Sequence, residues 1–180
     1  MSILLIITTV LALAVITLLA LAARKPDVFK VERRAIIAAP MATVYGQIEN
    51  LQAWQAWSPW AKKDPAAKSE FIGPVSGVGA AFAWDGDKNV GKGRMEIVEA
   101  VPHARVRFRL DFESPFKATN EAVFLLREVA GGTEVTWTMT GRANLLSKVL
   151  DMLLDMDCMV GRDFEAGLAA MKGICENRAA

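Results

Sequence analysis

Ala104-Arg105-Val106-Arg107-Phe108-Arg109-Leu110-Asp111-Phe112 alternates apolar and charged side chains without a break. Successive side chains of a strand point to opposite faces. The pattern is therefore a half-buried antiparallel strand with one dry face and one wet face. Toward the C-terminus, Ser114-Pro115 turns the chain, and residues 116–129 alternate through Phe116, Ala118, Asn120, Ala122, Phe124 and Leu126. Gly131-Gly132 is a hairpin signal. Residues 133–142 then set Val135, Trp137 and Met139 against Glu134, Thr136, Thr138 and Thr140. Toward the N-terminus, Pro102-His103, Asp85-Gly86-Asp87 and Gly73-Pro74 separate three further strands at 91–100, 78–84 and 69–72. Another strand covers 29–37, where β-branched residues are frequent.

Two short helices lie between that first strand and the others. Ala39-Pro40 ends the strand and opens a helix over 41–49, whose apolar face is Val44, Tyr45 and Ile48. A second helix covers 51–57, with Leu51 and Trp54 on one side. Ser58-Pro59-Trp60 and Asp64-Pro65 then read as a loop. The chain closes on a helical pattern over 144–177. Leu146, Val149, Leu153, Met156, Val160, Phe164, Leu168, Met171 and Ile174 recur there at three- and four-residue spacing. Gly161 and Gly167 interrupt it, which predicts a bend or a close backbone approach. Wet-faced strands need their dry faces covered, and this helix is the one element long enough to do so. The expected class is α+β, an antiparallel sheet curled around the C-terminal helix.

The chain has 180 residues, 53% of them hydrophobic, and a formal net charge of +1. The hydrophobic surplus sits at the N-terminus, where residues 2–23 carry no charge. As a helix of ~1.5 Å rise per residue they reach about 33 Å, enough for the ~30 Å hydrocarbon core of a bilayer. A cleaved signal peptide is the alternative, with Ala20-Leu21-Ala22 as its site. Against it stand the missing basic n-region and the length of the apolar run. Residues 1–23 are read as a transmembrane anchor, 24–30 as a juxtamembrane linker and 31–177 as one soluble domain. Arg24, Lys25, Lys30, Arg33 and Arg34 follow the span, which places that domain in the cytoplasm. The balanced charge argues against a nucleic-acid partner. The sequence does not determine an oligomeric state.

The element order, with Ala39-Pro40, Leu51-Gln52-Ala53-Trp54-Gln55-Ala56-Trp57-Ser58-Pro59-Trp60, Asp64-Pro65, Gly77-Val78-Gly79-Ala80 and Gly161-Arg162-Asp163-Phe164-Glu165-Ala166-Gly167-Leu168, resembles the START-like superfamily. More narrowly, it is similar to the polyketide cyclase/dehydrase group of membrane-anchored bacterial proteins. The resemblance covers about Val31 to Cys175. It implies a helix-grip fold with a cavity between sheet and helix. Members bind apolar or amphipathic small molecules, and some are cyclases or aromatases while others carry lipids.

Trp84, Phe108, Phe124, Trp137, Met139, Phe164 and Met171 either fill the core of such a grip or line an apolar pocket in it. Asn120, and with it Arg94, is the candidate polar group pointing inward. The tryptophans of the 54–60 stretch either meet a membrane or pack the short helices onto the sheet. Arg105, Arg107 and Arg109 either meet anionic headgroups or pair with neighbours such as Glu96 and Glu121. His103 is read as an exposed turn residue, which leaves no Ser-His-Asp or Cys-His arrangement. Asp151, Asp155 and Asp157 read as a solvated helix face rather than a metal site. Cys158 and Cys175, 17 positions apart on one helix, are about 25 Å from each other and outside disulfide reach. No metal, cofactor or catalytic constellation is expected. The leading expectation is membrane-anchored binding of a hydrophobic small molecule or lipid. A cyclase/aromatase-type enzyme and a protein-interaction domain are the alternatives.

Overall fold

A computed structural model describes residues 3–179, so the expectations at Met1 and Ser2 fall outside the described residues. The elements are α1 (Ile3–Arg24), β1 (Val28–Ile37), α2 (Met41–Glu49), α3 (Leu51–Trp57), α4 (Pro59–Lys63), β2 (Lys68–Ile72), β3 (Ala81–Asp85), β4 (Lys92–Val101), β5 (Arg105–Ser114), β6 (Ala118–Val129), β7 (Gly132–Arg142), α5 (Leu145–Leu154) and α6 (Met156–Ala179). The seven strands form one antiparallel sheet in the order β1-β7-β6-β5-β4-β3-β2. The first and last strands are neighbours at one edge, and β2 is at the other. The α2–α4 segment therefore carries the chain from edge to edge over the concave face, where α6 also lies. This is the α+β helix-grip arrangement.

Local chemistry explains the short helices. Pro40 holds the extended backbone that opens α2 (ψ 145°). The Asn50 side chain caps α3, accepting from the Gln52 and Ala53 amides at 2.9 and 3.1 Å. Residues 58–65, expected as a loop, contain α4. Pro59 occupies its first turn, where a missing N–H costs nothing. Between α1 and β1 only residues 25–27 lie outside regular structure.

The C-terminal pattern is not one helix. Asp155 adopts φ +48°, ψ +71°, which ends α5 and restarts the chain as α6. Its carboxylate accepts the Cys158 amide at 3.0 Å, an N-terminal cap for α6. Asp151 is paired with Lys25, and Asp157 with Arg33 at 3.2 Å. Asp155 and Asp157 are exposed, as a solvated face requires, and all three aspartates also connect elements. Cys158 and Cys175 both lie on α6 and form no disulfide.

Helix α6 is held along β1. Arg33 is in register with Trp137 and so points to the concave side, where its guanidinium lies across Gly161. It meets Asp157 one turn before that glycine and Glu165 (2.7 Å) one turn after it. A Cβ at Gly161 would stand 1.8 Å from Arg33 Nη2, so the glycine is the seat of the arginine. Further along, Glu176 accepts the Ala38 amide at 2.8 Å and Lys172 donates to the Ile36 carbonyl at 2.9 Å.

The convex face is ionic. Arg105 and Arg107 pair with Glu99, Arg107 reaches Glu121 at 3.4 Å, and Arg109 binds Asp111 at 2.7 Å. The arginine stripe is therefore neutralised by its neighbours. Arg94, a candidate inward group, instead lies on this face and pairs with Glu96 at 3.0 Å. Glu32 accepts from Lys30, Arg34 and the Thr138 hydroxyl, which holds its carboxyl down at about 2.

Three outcomes follow. At the β6–β7 turn, Gly132 has φ +144°, and a Cβ there would lie 2.0 Å from the Ile37 carbonyl oxygen. G132A is expected to cost about 2 kcal/mol or more in urea unfolding. G173A, at an open site on α6, is expected to stabilise by ~0.5–1 kcal/mol. Glu32 titrates lower in the folded chain than in the unfolded one, so its contribution is complete above the ordinary carboxylate value of 4.5. It is lost as pH falls toward about 2. Glu32→Gln is expected to flatten the pH dependence of unfolding across that window.

Candidate functional site

Directly paired residues in an antiparallel sheet point to the same face, so the register divides the concave surface into rows. Val106, Phe124, Trp137 and Arg33 form one row across β5, β6, β7 and β1. Below it run Ile97, Phe108, Ala122, Met139 and Val31. The next row spans all seven strands: Phe71, Phe82, Met95, Leu110, Asn120, Gly141 and Phe29. The last holds Ser69, Trp84, Gly93, Phe112 and Ala118. It lies at the end of the sheet where β1 starts and β7 finishes.

The upper part of this surface is filled. Trp54 from α3 places its ring 5.3 Å from Phe108, 5.5 Å from Phe124 and 5.6 Å from Trp137. Trp57 packs 4.2 Å from Trp54, and Trp60 stands edge-on to Trp137 at 5.8 Å. Phe164 of α6 stacks on Trp137 at 3.9 Å with the planes 5° apart. Phe108, Phe124, Trp137, Phe164 and Met171 are all buried to 2% exposure or less. The tryptophan stretch is accordingly structural: Trp54 and Trp57 are buried, and Trp57 Nε1 donates to the Gln47 carbonyl at 3.0 Å. One donor in this cluster is unmatched. The buried Trp137 Nε1–H has no acceptor among the described residues.

The lower rows are different. Phe71, Phe82, Trp84 and Phe112 form a ladder with centroid spacings of 5.2, 6.2 and 5.8 Å. Phe82, Trp84 and Phe112 are half-buried, and Phe71 is 45% exposed. Gly93 and Gly141 shape the floor. A Cβ at Gly93 would lie 2.7 Å from the Trp84 ring, and one at Gly141 would lie 2.1 Å from Asn120 Oδ1. Both glycines let a neighbouring side chain lie flat, which leaves a shallow apolar groove. Asn120 and Met139 are half-buried in it. The Asn120 amide makes no hydrogen bond to another described residue. The two lower rows hold no carboxylate, histidine, lysine or arginine.

The eight expected site residues therefore share the concave side but divide in two. Phe108, Phe124, Trp137, Phe164 and Met171 pack one another, while Trp84, Asn120 and Met139 face the groove. Phe71, Phe82, Leu110 and Phe112 join them, although the sequence reading did not single them out. Leu110 and Phe112 share the strand parity of Phe108, which was the available signal. Two open depressions border these rows. One of about 620 Å³ at the β5–β6 turn is lined by Phe112 and Ala118 together with Glu113 and Lys117, and one of about 520 Å³ is lined mainly by convex-face residues such as Arg107 and Arg109, with Asn120 and Gly141 at its margin. His103 sits exposed in the β4–β5 turn at φ +59°, 5.5 Å from the Tyr45 ring and away from the groove. Burial, together with Glu49, pushes the Tyr45 phenol up. No group of three or more metal-ligating side chains occurs among the described residues.

Solved structures share this architecture. The di-domain ARO/CYC StfQ from the steffimycin biosynthetic pathway matches with a TM-score of 0.64 and 15% identity, over 84% of this chain and 52% of that one. A protein of Mesorhizobium loti matches with a TM-score of 0.61 and 12% identity, over 83% and 98%. The Aha1 dimer from Colwellia psychrerythraea matches with a TM-score of 0.58 and 16% identity, over 82% and 96%. At these identities the likeness is one of fold. No curated protein sequence matches the chain. The family model described as "Polyketide cyclase / dehydrase and lipid transport" covers residues 28–176, from the first strand almost to the end of α6, and the chain belongs to that family.

Proposed function

We propose that the chain is a membrane-tethered binding protein for an apolar or amphipathic small molecule or lipid, held in the lower concave groove. The observation that carries this reading is the seven-residue row from Phe71 to Phe29. Six of its members offer apolar side chains or bare backbone, and Asn120, next to the central Leu110, offers a side-chain amide with no hydrogen-bond partner among the described residues. Such a floor suits a flat or extended hydrophobic guest with one hydrogen-bonding group. The buried Trp137 N–H is a second unmatched donor on the same side, two residues along β7 from the flexible Met139. A guest that displaces the Met139 side chain and brings an acceptor would satisfy a group whose isolation costs about 1–3 kcal/mol.

The cyclase/aromatase alternative needs a side chain that moves protons at the reacting carbon. The lower rows supply none, which favours binding over turnover. Tethering is supported by α1. It is 22 residues long, uncharged until Arg24, and covered by the rest of the chain only at Leu18 and Ala22. The basic residues after it support a cytoplasmic domain.

Native mass spectrometry of the full chain, released from its micelle, tests the binding. The wild type is expected to carry one apolar guest. Leu110→Lys, which puts a charge in the middle of the row, is expected to lose it, and Phe71→Ala, on the edge strand, to retain it only partly. A wild-type spectrum no richer in guest than that of Leu110→Lys would refute the reading. Conversion of a bound polyketide precursor would favour the enzyme instead. A reporter fused to the C-terminus is expected to be active in the cytoplasm and silent outside it.

A further inference from the structure

Helix α5 is built inside out. Lys148 is 6% exposed, whereas Leu145, Leu146 and Leu153 are 47%, 58% and 64% exposed. Projected at 100° per residue, Ser147, Lys148 and Asp151 share one arc of the helix, and Leu145, Leu146, Val149, Leu150 and Leu153 occupy the other. A surface helix in water turns its leucines in and its lysine out. Here the charged arc is the one turned in. Lys148 donates to Asp27 at 2.5 Å, Asp151 is paired with Lys25, and the Ala143 amide donates to the Asp27 carbonyl at 2.9 Å. The Lys148 ammonium holds the Asp27 carboxyl below its ordinary range.

These pairings give α5 a direction. Moving from Asp27 back to Lys25, the partners advance from 143 and 148 to 151. The two segments are therefore antiparallel, and the later turns of α5 run beside the last turns of α1. Leu18 and Ala22, one turn apart, are the positions of α1 that lose exposure. Beyond Leu153 the left-handed Asp155 breaks the helix, and Met159 in the first turns of α6 is again 50% exposed.

We infer that α5 lies in the lipid interface beside α1, with its leucine arc at the boundary between headgroups and acyl chains. This rests on the reading that α1 spans a bilayer. A leaflet that accommodates the end of α1 also surrounds whatever is packed against that end, so the occupant of the apolar arc is lipid. The depth is shallow. Asp155 is exposed at the break between α5 and α6, which keeps that break within the headgroup layer. One consequence concerns the groove. Its lower rows lie at the end of the sheet where β1 starts and β7 finishes, which is the end that α5 holds against the leaflet. An apolar guest would then pass between bilayer and groove without crossing bulk water.

The test uses the full chain in phosphatidylcholine nanodiscs. An environment-sensitive nitrobenzoxadiazole label is attached to single cysteines in a Cys158→Ser background, with Cys175 buried and out of reach of the reagent. Probes at Leu146→Cys and Leu153→Cys are compared with Leu13→Cys in mid-span and with Ala130→Cys at the β6–β7 turn at the opposite end of the sheet. Labels at 146 and 153 are expected to be quenched by lipids carrying a shallow nitroxide and to show several-fold weaker iodide quenching than the label at 130. If 13 is lipid-quenched while 146 and 153 respond to iodide like 130, α5 is in water and the inference falls, although the anchor stands. If 13 is also open to iodide, the anchor falls and takes the inference with it.

Discussion

The contact on which the structure turns is the face-to-face stack of Phe164 on Trp137, 3.9 Å apart and nearly parallel. It joins α6 to the middle of the sheet and draws Trp54, Trp57 and Trp60 around it. Gly167 permits the approach, because a Cβ there would come within 3.0 Å of the Trp137 ring and 3.2 Å of Pro59. Aromatic side chains of this size supply most of the apolar area a small sheet can bury. Arg33 over Gly161 adds direction to the contact, since its partners Asp157 and Glu165 fix where along β1 the helix sits. Exposed ion pairs of this kind contribute little energy, so the arginine aligns α6 and the aromatics hold it.

Filling the upper half of the grip leaves the lower half for any guest. A fold with one rigid end and one open end does not require an enclosed chamber. The rows around Asn120 are floored by β-strands and flattened by two glycines. Their polar side-chain groups are the Asn120 amide, the exposed Ser69 hydroxyl and the Trp84 indole, which donates to the Val90 carbonyl at 3.3 Å. A guest held there, as proposed, would be selected by shape and by a single hydrogen bond, which would admit a range of apolar molecules. The convex face is ionic instead, its arginines paired with carboxylates, although Arg94 Nε and Arg107 Nε are buried without a hydrogen-bond partner among the described residues.

Much of this was legible in the residues. Strict alternation from Ala104 to Phe112 and from Glu134 to Thr140 told strand from helix and dry face from wet. Pro40 and Asn50 marked α2 and α3 to the residue, because both act through local backbone chemistry. The α4 helix was not legible, since five residues with a proline and two lysines carry no periodicity. Nor was the break at Asp155: the leucine and methionine stripe continues through it, and an aspartate in a left-handed conformation leaves no mark in that spacing. The division of the concave side depended on which side chains α3 and α4 deliver across the sheet. Trp54 and Phe124 are far apart in sequence, and no local pattern reports that they meet.

The short connection between α1 and β1 has its own consequence. Three residues span at most about 10 Å, and two of them, Lys25 and Asp27, are tied to α5. With α1 in a bilayer, this is a rigid mount rather than a leash. If α1 spans a bilayer and the groove holds a guest, as proposed, a connection this short would keep the domain at that membrane, and hand-over would occur where a second membrane or an acceptor protein comes to it.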